Sequence, residues 1–120
     1  MSNKASSTVA KSFLPLPPAD LQLLLILAEQ DLHAYGISRA VEAGKTGVQL
    51  EIGSLYRMLT RMETQGLIEE RDGPAESDAP ESRRRYYGIT ALGRRVAKAE
   101  ATRLRAVLDL AESKRLIALR

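Results

Sequence analysis

Apolar positions fall into blocks along the chain, and their spacing changes from one block to the next. Residues 1–11 are small and polar with no apolar period, which predicts a flexible N-terminal tail over 1–17. Pro15, Pro17 and Pro18 keep the end of that tail extended and pre-set a helix start. Over 19–29, Leu21, Leu23, Leu24, Leu25, Ile26 and Leu27 surround a helix on nearly every side. A helix apolar all round has to be buried all round. A domain this small seldom encloses one unaided, so part of that surface, with Leu23, Ile26 and Leu27, is expected to meet another chain.

A short second helix is predicted over 35–42 with Ile37, Ala40 and Val41 inward, then a loop at Gly44 and Gly47 and a short strand over 48–50. The clearest periodicity follows, over 52–65. Ile52, Leu55, Leu59 and Met62 recur at helical offsets, and Gly66 suits a left-handed terminating residue. Residues 67–71 and 84–89 read as the two strands of a hairpin, joined by the turn-rich, acidic stretch 72–82. Thr90 can cap a last helix over 91–119, on the order of 40 Å long. On it Ala97, Ala101, Leu104, Leu108 and Ala111 repeat like a coiled-coil seam until Arg115 interrupts. The fold class is mainly α with a small β-hairpin. Three helices and a hairpin that must pack on them are the parts of a winged helix-turn-helix, here over 18–90, with a long C-terminal helix over 91–120.

Composition narrows the function. The chain has 120 residues, 44% hydrophobic and 28% charged, enough for one compact core. It has no cysteine, which removes disulfides and thiolate chemistry and is compatible with a reducing cytoplasm. Its single histidine, His33, leaves little room for a metal site or histidine-based catalysis and reads as a helix-entry or packing residue. The longest apolar run, 23–28, is far short of the roughly 20 residues a bilayer demands. The expectation is a cytoplasmic binding protein that is no enzyme, with no metal, no cofactor and no membrane partner.

Charge is unevenly placed. Residues 83–120 hold eleven Lys/Arg against three Asp/Glu, whereas the rest of the chain holds seven against twelve. Clustered positive charge points to a polyanion, or to an ordinary solvated helix face. Gly44-Lys45-Thr46 is no phosphate-binding loop, because Arg39 stands where that motif needs glycine. Glu69 and Glu70 alternate across a strand and read as a solvated strand end. The third helix is more informative. Opposite its apolar stripe lie Ser54, Arg57 and Arg61 with Tyr56 alongside, groups suited to phosphate and base-edge contacts. The alternative is that Arg57 and Arg61 pair with Glu63 or with solvent.

Four blocks, in order and correctly separated, carry a resemblance. They are Leu32-His33-Ala34-Tyr35-Gly36-Ile37, Gly53-Ser54-Leu55-Tyr56-Arg57-Met58-Leu59, Arg61-Met62-Glu63 with Gly66-Leu67-Ile68-Glu69, and Arg84-Arg85-Tyr86-Tyr87-Gly88-Ile89-Thr90 with Gly93-Arg94. Together they resemble the PadR family of bacterial transcriptional regulators over roughly residues 21–110. The resemblance implies a winged-helix domain, a long C-terminal helix used for homodimerisation, and binding to double-stranded operator DNA, usually as a repressor. It also brings in a small-molecule effector as a candidate partner. Three departures stand out. Ala34 replaces the more usual glycine, Glu51-Ile52 stands where a Ser-Pro pair is common, and with no Trp and one Phe, Phe13, outside the domain, no aromatic lining for an interfacial ligand pocket is visible.

The expected DNA contacts are Ser54, Tyr56, Arg57 and Arg61 on the third helix, with Arg83, Arg84 and Arg85 at the base of the hairpin. For the hairpin arginines the alternative is charge balance with Glu69, Glu70 and Glu81. The expected dimer surface joins Leu23, Ile26 and Leu27 to Ala97, Ala101, Leu104, Leu108 and Ala111. A winged-helix module that binds protein or RNA is the competing function.

Overall fold

A computed structural model of the protein describes residues 8–73 and 85–119. Helix α1 (Pro18–Glu29) starts with Pro18 in its first turn, where a missing N–H costs nothing. Strand β1 (Leu32–His33) leads into α2 (Ala34–Ala43), and His33 caps that helix by accepting the Gly36 N–H at Nδ1, 2.9 Å away. Helix α3 (Ile52–Thr64) and strands β2 (Ile68–Asp72) and β3 (Arg85–Ile89) follow, then the long α4 (Ala91–Ser113). The sheet is antiparallel in the order β1-β3-β2, with Leu32 opposite Tyr87 and Ile68 opposite Ile89. The fold is the expected winged helix-turn-helix with a long C-terminal helix. Its third strand is a surprise, because it lies at 32–33 while 48–50 form no strand.

The core is built by Leu23, Leu24 and Leu27 of α1, Ile37 and Val41 of α2, Leu55, Leu59 and Met62 of α3, and Leu67, Ile68, Ile89 and Val96 around the sheet and α4. Leu23, Leu27 and Ala97 are therefore core residues of the protomer and are not available to a second chain. The all-round apolar α1 is explained mostly from within, since α2, α4 and β3 all pack on it. Leu25 is the exception, 52% exposed. On α3 the inward stripe is completed by Met58, while Ile52, at the first helical position, stands half-exposed.

The tail expected over 1–17 is docked over its described part. Residues 8–11 form a helical turn, Ala10 and Leu16 are buried, and Phe13 and Leu14 pack against the core. The anchor is Glu100 of α4, 1% exposed, whose carboxylate accepts the Leu16 N–H at 2.9 Å and two hydrogen bonds from Arg103 at 2.5 and 3.0 Å. Arg103 holds the Glu100 carboxyl below its ordinary pKa, helped by the Leu16 N–H.

One hydroxyl joins hairpin and last helix. Thr90 Oγ1 donates to the Gly66 carbonyl at 2.6 Å and accepts the Gly93 N–H at 3.0 Å, capping α4. A Cβ at Gly93 would strike the Leu67 carbonyl, so glycine lets α4 lie directly on the start of β2. Helix α4 ends at Ser113, six residues before the expected limit. Arg115 takes φ 62° there, and the Leu116 N–H reaches the Ala111 carbonyl while the Arg115 N–H reaches that of Glu112. Gly66 terminates α3 through the same pair of bonds, with φ 79°.

Candidate nucleic-acid interface

Helices α2 and α3 form the helix-turn-helix, and α3 turns Leu55, Met58, Leu59 and Met62 into the core. At 3.6 residues per turn that leaves Gly53, Ser54, Tyr56, Arg57, Thr60, Arg61 and Thr64 outward. Tyr56, Arg57, Thr60 and Arg61 line one shallow, open groove along this face. The Arg57 guanidinium donates to Ser54 Oγ at 3.1 Å, which orders it toward the helix N-terminus, and among the described residues no carboxylate pairs with it. The first amides of α3 carry no side-chain cap, because Glu51 stands at the N-cap position without bonding back. They remain available to an anion, beside an exposed carboxylate that tempers their attraction.

Arg61 is placed differently from Arg57. Its two terminal nitrogens hold both oxygens of Asp20, each at 2.8 Å, in a fork-to-fork pair with a carboxylate that is 2% exposed. The carboxylate it pairs with is that of Asp20, not the Glu63 weighed from the sequence. The hydrogen bond to Asp20 raises the Arg61 pKa against the cost of burial. Thr60 shares the outward face although the apolar period gives no reason to single it out.

On the hairpin, Arg85 lies 3.3 Å from Glu70 across the strand pair, the charge balance that was the alternative to phosphate contact. Arg85 also donates to the phenol of Tyr87, whose pKa burial raises. Arg83 and Arg84 fall outside the described residues. Arg71, which the sequence did not single out, is the organiser of this sheet. It reaches Asp31 at 2.9 Å, Glu69 at 2.8 Å and the Ile89 carbonyl at 3.0 Å. Its guanidinium lies flat over Gly88, where a Cβ would collide with it.

The surface expected for dimerisation is only partly where the pattern put it. Ile26 and Leu104 do come together, with Leu16, Leu21, Leu25 and Val48, in an open groove of about 500 Å³ between α1, α4 and the loop after α2. No aromatic side chain lines it. Beyond it α4 leaves the body, and Ala101, Leu108 and Ala111 continue the apolar stripe with Val107 and Leu110 exposed beside them. No helix among the described residues is long and apolar enough to cross a membrane.

Comparison with known proteins agrees with this geometry. The profile described as "Transcriptional regulator PadR-like family" matches residues 23–99. A crystal structure of a PadR family transcription regulator from Clostridium difficile R20291 superposes with a TM-score of 0.70 at 25% identity, covering 81% of this chain and 97% of that one. A PadR-like transcriptional regulator from Bacillus cereus superposes at 0.68 with 22% identity, covering 92% and 99%. Bacillus subtilis PadR in complex with operator DNA superposes at 0.55 with 17% identity, covering 66% and 44%. A search of curated protein sequences finds no match.

Proposed function

The chain belongs to the PadR-like family of transcriptional regulators, which are not enzymes, and on that premise we propose that it is a homodimeric, sequence-specific repressor of double-stranded operator DNA. One observation carries the reading. The outward face of α3 gathers Ser54, Tyr56 and Thr60 around the Arg57 guanidinium, which no carboxylate among the described residues pairs with, on the second helix of a helix-turn-helix. That helix is the one such folds lay in the major groove, with its N-terminal residues at base edges. Arg57 can address guanine O6 and N7 or a phosphate, and the Tyr56 phenol and the Ser54 hydroxyl can donate to backbone oxygens. The Bacillus subtilis neighbour was solved on operator DNA, which favours the same mode of docking here.

Arg83 and Arg84, on the approach to β3, supply further phosphate contacts in this reading; Arg85 contributes less, being committed to Glu70 and Tyr87. Dimerisation uses the groove at Ile26 and Leu104 together with Ala101, Leu108 and Ala111 along the free half of α4. Two copies then present two α3 helices to successive turns of one duplex face. Repression follows from occupancy of the operator, and a small-molecule effector would act by changing how the two copies sit.

The test is a binding titration of the protein with random duplex DNA and with single-stranded RNA over a range of salt. Duplex binding that weakens steeply as salt rises, with weaker RNA binding, supports the reading. Equal or stronger binding to single-stranded RNA, or no binding to either, assigns the outward face to another partner.

A further inference from the structure

Resting on the DNA-binding reading of α3, we propose that Asp20 is a positioning residue: it withholds the Arg61 guanidinium from DNA phosphate and fixes the recognition helix on α1. Arg61 sits one turn beyond Arg57 on the same outward face and lines the same shallow groove. Its side chain is 46% exposed, so reach toward a duplex is not what limits it. What limits it is its partner. Asp20, in the first turn of α1, puts both carboxylate oxygens on Arg61, and among the described residues no other cation approaches that carboxylate.

A phosphate could take Arg61 only by leaving a buried carboxylate without its counter-charge, one of the costlier things a protein interior can be asked to do. The pair therefore stays closed when DNA arrives. Arg57 is then the arginine of α3 left to address DNA, since among the described residues its hydrogen bond runs to the neutral Ser54 hydroxyl and no carboxylate pairs with it. Attraction to phosphate is independent of sequence, whereas base contacts discriminate. By removing one cation per protomer from the contact face, Asp20 lowers affinity for every duplex alike and leaves discrimination to base contacts such as those open to Arg57. The same two bonds tie α3 to α1, the helix that also lines the groove at Ile26 and Leu25, so the pitch of the recognition helix is set from the α1 side.

The experiment compares wild type, D20N, R61Q and D20N/R61Q on a duplex selected by the wild-type protein and on random duplex, across 50–200 mM salt. D20N is expected to free Arg61 and steepen the salt dependence by about 0.9 log units per protomer, which for a dimer widens the affinity ratio across that range about tenfold. Its affinity for the selected and the random duplex should rise alike at the low-salt end. D20N/R61Q leaves a neutral pair that folds even if a single variant does not. Its salt slope should match wild type, because Arg61 holds no phosphate in the native protein. A double variant whose slope is flatter than wild type by about one unit per protomer shows Arg61 on phosphate and overturns the proposal. A folded D20N with unchanged salt slope overturns it as well. Wild type that binds no duplex overturns the DNA-binding reading and this one together, whereas wild type that binds beside a flattened double variant overturns this one alone.

Discussion

Replacing Glu100 by Gln removes one charge from the joint where three segments meet, and its effect can be worked out from the contacts. The carboxylate accepts the Leu16 N–H at 2.9 Å and is forked by Arg103. Glutamine keeps one acceptor oxygen, but its amide turns a donor toward the guanidinium or toward the Leu16 N–H, so at least one of the three bonds is lost. Arg103 is well exposed and can turn to water, whereas Leu16 is buried. The cost is therefore set mainly by the loss of the charged acceptor, and a hydrogen bond to a charged group amounts to about 1.5–3 kcal/mol. For a chain of this size that lowers the melting temperature by several degrees.

The pH dependence has a definite sign. Arg103 and the Leu16 N–H depress the folded-state pKa of Glu100 below its unfolded value near 4.5. Its contribution is thus complete above the unfolded pKa and is lost as pH falls through the folded one. The gap between wild type and E100Q in urea unfolding should be widest at pH 7 and close as pH drops below about 4. Unfolding has to be followed at fixed protein concentration, because the proposed dimerisation would contribute to apparent stability. A gap that is absent at pH 7, or that grows on acidification, would refute the role given to this carboxylate.

Three further outcomes are expected. Thr90→Val should cost about 1–2 kcal/mol through loss of the α4 cap, read by thermal unfolding, while Thr90→Ser should retain most of it; equal losses would show that the hydroxyl is not what joins hairpin and helix. Leu104→Glu with Leu108→Glu should yield monomer by light scattering at micromolar concentration, since like charges would be buried in the apolar stripe, and an intact dimer would remove α4 from the interface. Arg57→Ala should leave unfolding unchanged and weaken binding to a selected duplex by about 1–3 kcal/mol, roughly 5- to 150-fold by titration, and unaltered affinity would dismiss Arg57 as a contact.

How legible these features were depends on whether their cause was local. The stripe of α3, its Gly66 terminator and the Thr90 cap all rest on residues within a few positions of one another, and the pattern shows them. Arg115 ends α4 through the same backbone geometry as Gly66, but an arginine with positive φ carries no such signal in sequence. The burial of Leu23 and Leu27 was misjudged because an all-round apolar helix looks the same whether its cover comes from its own chain or from another. Here α2, α4 and β3 supply it. The pairs Asp20–Arg61 and Glu100–Leu16 join residues 41 and 84 positions apart, and an acidic residue in the first turn of a helix reads at first as a complement to its dipole. The docked segment 8–17 was hidden for the same reason, since its anchor lies on the last helix.

The central claim, that two copies of α3 read one operator, is tested most directly by selecting bound sequences from a random duplex pool. The account predicts an enriched, two-fold symmetric site whose half-site centres lie one helical turn, about 34–36 Å, or a multiple of it apart. A pool that remains unenriched after repeated rounds, while the protein stays folded and binds, would contradict it.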